Sequence, residues 1–183
     1  MIKQRKIELL APAKNLECGM AAVDHGADAV YIGAPRFGAR AAAGNSLEDI
    51  AALVQYAHLY NVRIYVTVNT ILRDEELKDT EEMIWELYRA GVDALIVQDM
   101  GLLELNLPPI PLHASTQMDN RTPEKAKFLA EAGFRQIVLA RELSLPEIGK
   151  IHEAIPEVPL EVFVHGALCV SYSGPVSYTH LTL

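Results

Sequence analysis

The stretch Gly26-Ala27-Asp28-Ala29-Val30-Tyr31-Ile32-Gly33 recurs along the chain as Gly91-Val92-Asp93-Ala94-Leu95-Ile96-Val97-Gln98. It appears once more as Gly133-Phe134-Arg135-Gln136-Ile137-Val138-Leu139-Ala140. Each copy puts a glycine where an amphipathic helix ends, a position at which a positive φ is easily reached. One or two polar residues follow, and then an apolar run suited to a buried strand. One joint between helix and strand, built repeatedly, argues for a parallel sheet with crossover helices.

Working outward, strands are expected at Ile7–Ala11, Asp28–Gly33, Arg63–Asn69, Ala94–Val97, Leu112–Ser115, Gln136–Ala140 and Leu160–Val164. Helices are expected over Asn15–His25, Ser46–Tyr60 and Asp74–Ala90, with a short one over Met100–Leu105. Thr122-Pro123 opens the next, with proline at the first helical position. The last begins at Ser144, where Glu147 completes a capping box, and runs to Ala154. Seven strand-helix units without a change of direction predict an α/β protein, a TIM-type (β/α)8 barrel lacking its last strand and helix in this chain. A doubly wound open sheet is the alternative. The first strand-to-helix loop, Ala11-Pro12-Ala13-Lys14-Asn15, has no Gly-x-Gly-x-x-Gly, which argues against a dinucleotide-binding fold.

The chain has 183 residues, 50% of them apolar, enough for one sizeable core. It is short of the roughly 250 residues of a typical closed barrel. Acidic residues outnumber basic ones 24 to 16, a formal charge of −8, so no global field draws nucleic acid. No run reaches the ~18 apolar residues of a membrane span, and the basic N-terminus lacks the apolar core of a signal peptide. No membrane association is expected. Two cysteines, Cys18 and Cys169, lie far apart. A reducing cytoplasm fits them better than a disulfide does.

A barrel of this kind forms its site at the C-terminal ends of its strands. The polar residues expected there are Asn69 and Thr70, Gln98 and Asp99, then Ser115, Thr116 and Gln117. Arg141, Glu142, His165 and Cys169 complete the rim. Thr70, Asp99 and Thr116 are the ones expected merely to cap helices or satisfy loop backbone. Asn69, Gln117, Arg141, Glu142 and His165 are candidate catalytic residues. Ser115 and Asn45, with Arg36 and Arg40 of the small-residue loop at 33–45, are candidate substrate-binding residues. Together they could orient a polar or anionic ligand. Cys18 reads as a buried small hydrophobe on a helix. Cys169 could be a nucleophile activated by His165, a metal or iron–sulfur ligand, or an inert thiol.

The segment Glu161-Val162-Phe163-Val164-His165-Gly166-Ala167-Leu168-Cys169, with Gly174 beyond it, resembles the signature of the peptidase U32 family. Glu8-Leu9-Leu10-Ala11-Pro12-Ala13, Gly26–Gly33, Phe37–Asn45, Val68-Asn69-Thr70, His113–Gln117 and Leu139–Glu142 resemble further blocks of that family. The resemblance implies a barrel-type catalytic domain. It also implies one of two activities. One is oxygen-independent hydroxylation of tRNA or rRNA, or of a ubiquinone precursor, with prephenate as a co-substrate of the RNA-directed members. The other is the collagenase-like proteolysis for which the family was named. A non-catalytic barrel subunit is a third reading. Several members bind a [4Fe–4S] cluster through four cysteines, and Cys169 matches the first ligand. Val176 stands where the second would fall. The expectation is therefore an incomplete catalytic barrel over residues 1–174 and a non-native read-through tail over residues 175–183, with no functional weight on His180. The cluster would assemble only in an intact parent, and this chain alone would be inactive. RNA, a small molecule or a peptide would be the substrate, and the open barrel would self-associate.

Overall fold

The computed structural model describes residues 7–37, 45–166, 173 and 174. Its order is β1 (Leu10–Ala13), α1 (Leu16–Asp24), β2 (Ala29–Gly33), α2 (Leu47–His58), β3 (Arg63–Val68), α3 (Leu77–Arg89) and β4 (Ala94–Val97). Then come β5 (Leu112–Ala114), α4 (Pro123–Glu131), β6 (Gln136–Val138), α5 (Leu145–Ala154) and β7 (Leu160–Glu161). Short 3₁₀ turns cover Asp74–Glu76, Met100–Glu104 and Thr116–Met118.

The seven strands pair in sequence order, every pair parallel. The larger core cluster joins Val30, Ile64, Val66, Leu95 and Ile137 of the strands to Leu53, Ile84, Leu87, Leu129 and Ile151 of the helices. A second cluster, Ala29, Tyr65, Ala94, Ile96 and Val138, holds strand residues alone. These alternate along each strand with residues of the larger cluster, so they face the opposite side of the sheet. The helices thus cover one face, and the other is the concave interior of a curled sheet. A doubly wound sheet would carry helices on both faces and reverse its strand order. The barrel reading holds.

The joint that repeats in sequence has one geometry. Gly26, Gly91 and Gly133 all have positive φ, at 91°, 89° and 103°. In each, the N–H one residue on reaches back five residues: Ala27 to Ala22, Val92 to Leu87 and Phe134 to Leu129. This is the Schellman closure of a helix. A fourth copy was hidden from the sequence because Asn61 replaces the glycine, with φ 57° and the same bond from Val62 to Ala57. Asparagine tolerates that conformation where most residues do not.

Several boundaries differ from the sequence reading. β1 begins at Leu10 rather than Ile7 and runs through Pro12. Proline lacks an N–H, but β1 pairs only with β2, and an outer strand accommodates it. β6 stops at Val138 rather than Ala140, because Asn120 intervenes: its side chain takes the Val138 carbonyl and its own carbonyl accepts the Ala140 N–H. β7 ends at Glu161 rather than Val164; paired on one side only, it leaves Val162, Phe163 and Val164 exposed. The Asp74–Ala90 helix opens as a 3₁₀ turn before α3. The expected tail at 175–183 lies outside the described residues.

Candidate active site at the strand ends

On the concave face, alternation puts Asn69 two residues beyond Thr67, Gln98 beyond Ile96 and Ser115 beyond His113, all on one rim. Ser115 is 2% exposed and forms its centre. Asn69 Nδ2 donates to Ser115 Oγ at 3.5 Å, and the Gln117 N–H donates to the same oxygen at 3.2 Å. Gln98 Nε2 donates to the Gln117 carbonyl at 3.4 Å. Three expected site residues, Asn69, Ser115 and Gln117, are therefore joined, with Gln98 bound to them. Their amides and hydroxyl present donors and acceptors side by side, which suits recognition of a polar planar group.

A second group follows β6. The Arg141 guanidinium lies 5.2 Å from the centroid of the Phe163 ring, and both residues are exposed. The Ser173 N–H and hydroxyl donate to the two Glu142 carboxylate oxygens at 2.5 and 2.8 Å. The Arg141 N–H donates to Ser173 Oγ at 3.4 Å. Partial burial of the Glu142 carboxyl opposes its ionisation. The two Ser173 donors, its own backbone N–H and the charge of Arg121 outweigh that and hold its pKa below the usual carboxylate value. His165 is exposed, and among the described residues no side chain hydrogen-bonds its imidazole.

The remaining expected residues part company with this rim. Arg36 is exposed, pairs with Asp79 of α3 at 3.3 Å and lies over Phe37. Asn45 is buried and donates to the Gly33 carbonyl at 3.2 Å, tying the loop to β2. Arg40 and Cys169 lie outside the described residues. Asp99 and Thr70 do the backbone work expected of them. The Asp99 carboxylate accepts the N–H groups of Leu72 and Gly101, and Thr70 donates to the Phe37 carbonyl.

Residues 14–182 match the family described as Peptidase family U32. The chain belongs to this family. It is 58% identical over 179 residues to the 23S rRNA 5-hydroxycytidine C2501 synthase of Escherichia coli (strain K12), an alignment covering 98% of this chain. It is 39% identical over 183 residues to tRNA hydroxylation protein P1 of Bacillus subtilis (strain 168), covering 97% of the chain. It spans 27% and 43% of those two proteins' own lengths. Among solved structures, the U32 peptidase Mk0906 superposes with a TM-score of 0.71 at 17% identity, over 93% of this chain and 73% of that one. That similarity supports the barrel fold of this U32 chain independently of sequence.

Two residues important to the site escaped the sequence reading. Asn120 is 1% exposed, and its Nδ2 donates to the Ser115 and Val138 carbonyls at 2.8 Å and to Ala114 at 3.5 Å. It holds the ends of β5 and β6 together beneath the rim. Only its place in the polar run Asp119-Asn120-Arg121 could have hinted at this. His113 was noticed only as part of a family block. It sits inside the barrel, 6% exposed, edge-on to Tyr65 at 4.8 Å. Burial, with the nearby Arg63 charge, lowers its pKa to about 4. Tyr65 in turn donates to Glu8, which also pairs with Arg63.

Among the described residues, no group of three or more His, Cys, Asp or Glu side chains could hold a metal ion. Cys18, in the first turn of α1, is exposed rather than the buried small hydrophobe the sequence suggested. The sequence has two cysteines, so a four-cysteine cluster does not fit the residues present here. No helix is long and apolar enough to cross a membrane among the described residues.

Proposed function

We propose that this chain is the barrel portion of an RNA-hydroxylating enzyme that acts on a pyrimidine of rRNA or tRNA in the cytoplasm. The observation that carries this reading is the 58% identity to a 23S rRNA 5-hydroxycytidine synthase over 98% of the chain. The rim supports it chemically. Asn69, Gln98, Ser115 and Gln117 offer the mixed donors and acceptors that read the edge of a base taken out of its stack. Arg141 over Phe163 offers an exposed guanidinium–aromatic surface on which a base can stack. Arg141 supplies positive charge for a phosphate or for a carboxylate co-substrate such as prephenate. A [4Fe–4S] cluster, if the parent carries one, would take Cys169 as one ligand and the others from outside these 183 residues. No step is derived through it.

The peptidase reading rests on the family description. It would require His165 to be oriented against Cys169, and among the described residues no group holds that imidazole. The test is deletion of the gene in its host, followed by nucleoside mass spectrometry of rRNA and tRNA. Loss of one hydroxylated pyrimidine, restored by the wild-type gene but not by Gln117→Ala or Arg141→Ala, is the expected result. Unchanged hydroxylated nucleosides in both RNAs would overturn the reading.

A further inference from the structure

His113 lies on the concave face of β5, two residues before Ser115, so its side chain sits one layer, roughly 7 Å, beneath the rim. It is 6% exposed and packs edge-on against Tyr65. Its Nδ1 is sealed from water without a hydrogen-bond partner, and its Nε2 is not sealed. A proton on Nδ1 would be a buried donor with nothing to receive it, and orphaned donors are rarer than orphaned acceptors. That assigns the proton of the neutral ring to Nε2, its outer corner, which points farther into the barrel. Burial and the Arg63 charge hold the ring neutral at pH 7.

Gln98 supplies the complement. Ile96 is the register partner of His113, and Gln98 stands two residues beyond it, at the level of Ser115. Gln98 is 8% exposed, and its Nε2 donates to the Gln117 carbonyl, which turns Oε1 the other way. That oxygen is an unsealed acceptor with no partner among the described residues. A donor and an acceptor thus lie diagonal to each other on neighbouring strands, both on largely buried side chains. We propose that His113 is a further substrate-contact residue, whose Nε2–H, together with the Gln98 side-chain oxygen, takes the hydrogen-bonding edge of the pyrimidine at the floor of the site. Cytosine offers a ring nitrogen to the donor and its amino group to the acceptor, and uracil offers a carbonyl and its ring N–H. The inference rests on the RNA reading.

The test uses the full gene returned to a deletion strain, with the rate at which hydroxylated pyrimidine accumulates after induction read by nucleoside mass spectrometry. His113→Phe keeps the ring against Tyr65 and removes the donor. It should lower the rate about tenfold while the protein accumulates normally. His113→Gln, which keeps an N–H, should lower it less, and Gln98→Leu should lower it as His113→Phe does. A wild-type gene that restores no hydroxylated pyrimidine would overturn the RNA reading, and this inference with it. Wild-type restoration beside an unchanged rate in His113→Phe would overturn this inference alone. Should His113→Phe fail to accumulate, the nitrogen-15 spectrum of the histidine-labelled wild-type protein decides. A proton on His113 Nε2 whose resonance shifts on adding cytidine or uridine supports the contact, and a proton on Nδ1, or no shift, overturns it.

Discussion

Asn120 Nδ2 donates to the Val138 carbonyl at 2.8 Å, bridging from the loop after β5 to the last residue of β6. The same nitrogen donates to Ser115, so one amide holds both halves of the rim. Because Nδ2 faces carbonyls, the amide orientation is fixed by its surroundings. Asn120→Ala would strand buried acceptors and cost about 2–4 kcal/mol. Asn120→Asp, which turns a carboxylate oxygen toward those carbonyls, should cost more despite its shape. Urea unfolding of the two variants checks the ranking. Equal stability of Asp and Asn at this position would sink it.

The fold was largely legible because it is written locally. Gly26, Gly91 and Gly133 mark helix ends by backbone chemistry alone, and Ser46, Thr122 and Ser144 cap helices where expected. The misses share one cause, which is contact between residues distant in sequence. Asn120 ends β6 across eighteen residues, and Ser173 claims Glu142 across thirty-one. Neither partnership leaves a periodic trace. Arg36 looked free to bind an anion because Asp79 is forty-three residues away. By contrast Ser115, Gln117 and Asn69 were found because the barrel rule places strand ends together, whatever the side chains do.

The repeated joint makes a graded prediction. A Cβ on Gly133 would meet no atom within 4 Å, and one on Gly91 would lie 3.2 Å from Val54 Cγ1. Both residues have positive φ, so alanine costs roughly 1–2 kcal/mol at either from backbone strain. Gly91→Ala should cost more than Gly133→Ala, by the extra displacement of Val54. Chemical denaturation of the pair reads the difference directly, and the reverse order would contradict the packing argument.

The aspartate of the motif has its own role. Asp93 Oδ2 accepts the Ile64 N–H at 2.7 Å and lies 3.0 Å from His58 Nε2, while Asp28 accepts the Leu9 N–H at 2.9 Å. Each carboxylate reaches the strand before its own and secures the foot of that strand. Asp93→Ala should destabilise the chain by about 1–3 kcal/mol, as expected for a charged acceptor of a backbone N–H. Amide exchange should show the loss at Ile64 first. Full protection of that N–H in the variant would mean the contact is dispensable.

The 183-residue polypeptide should self-associate. β1 and β7 are the outer strands of the sheet, and Ile7, Leu9, Val162 and Val164 beside them are all exposed. Among the described residues each of these strands pairs on one side only, and an open edge flanked by apolar side chains templates further pairing. Light scattering should report a mass that rises with concentration. A monodisperse monomer at high concentration would rule this out.

The buried imidazole of His113 links the barrel interior to pH. Its pKa is about 4 in the folded chain, against 6.5 for an ordinary histidine, chiefly because burial penalises its charged form. Between those values the unfolded chain binds the proton and the folded chain does not. His113 therefore stabilises the fold fully above about pH 6.5, and that contribution is lost as pH falls through about 4. The shift corresponds to about 3 kcal/mol. Glu161 works in the opposite sense: burial raises its pKa, against the Gln136 bond, so its contribution favours lower pH and is lost as pH rises through its folded value. Comparing wild type with His113→Gln removes the Glu161 effect, which both share. The stability gap between the two proteins should move against wild type by about 3 kcal/mol from pH 7 to pH 4. A gap that stays constant over that range would mean that His113 does not titrate differently in the folded and unfolded chain.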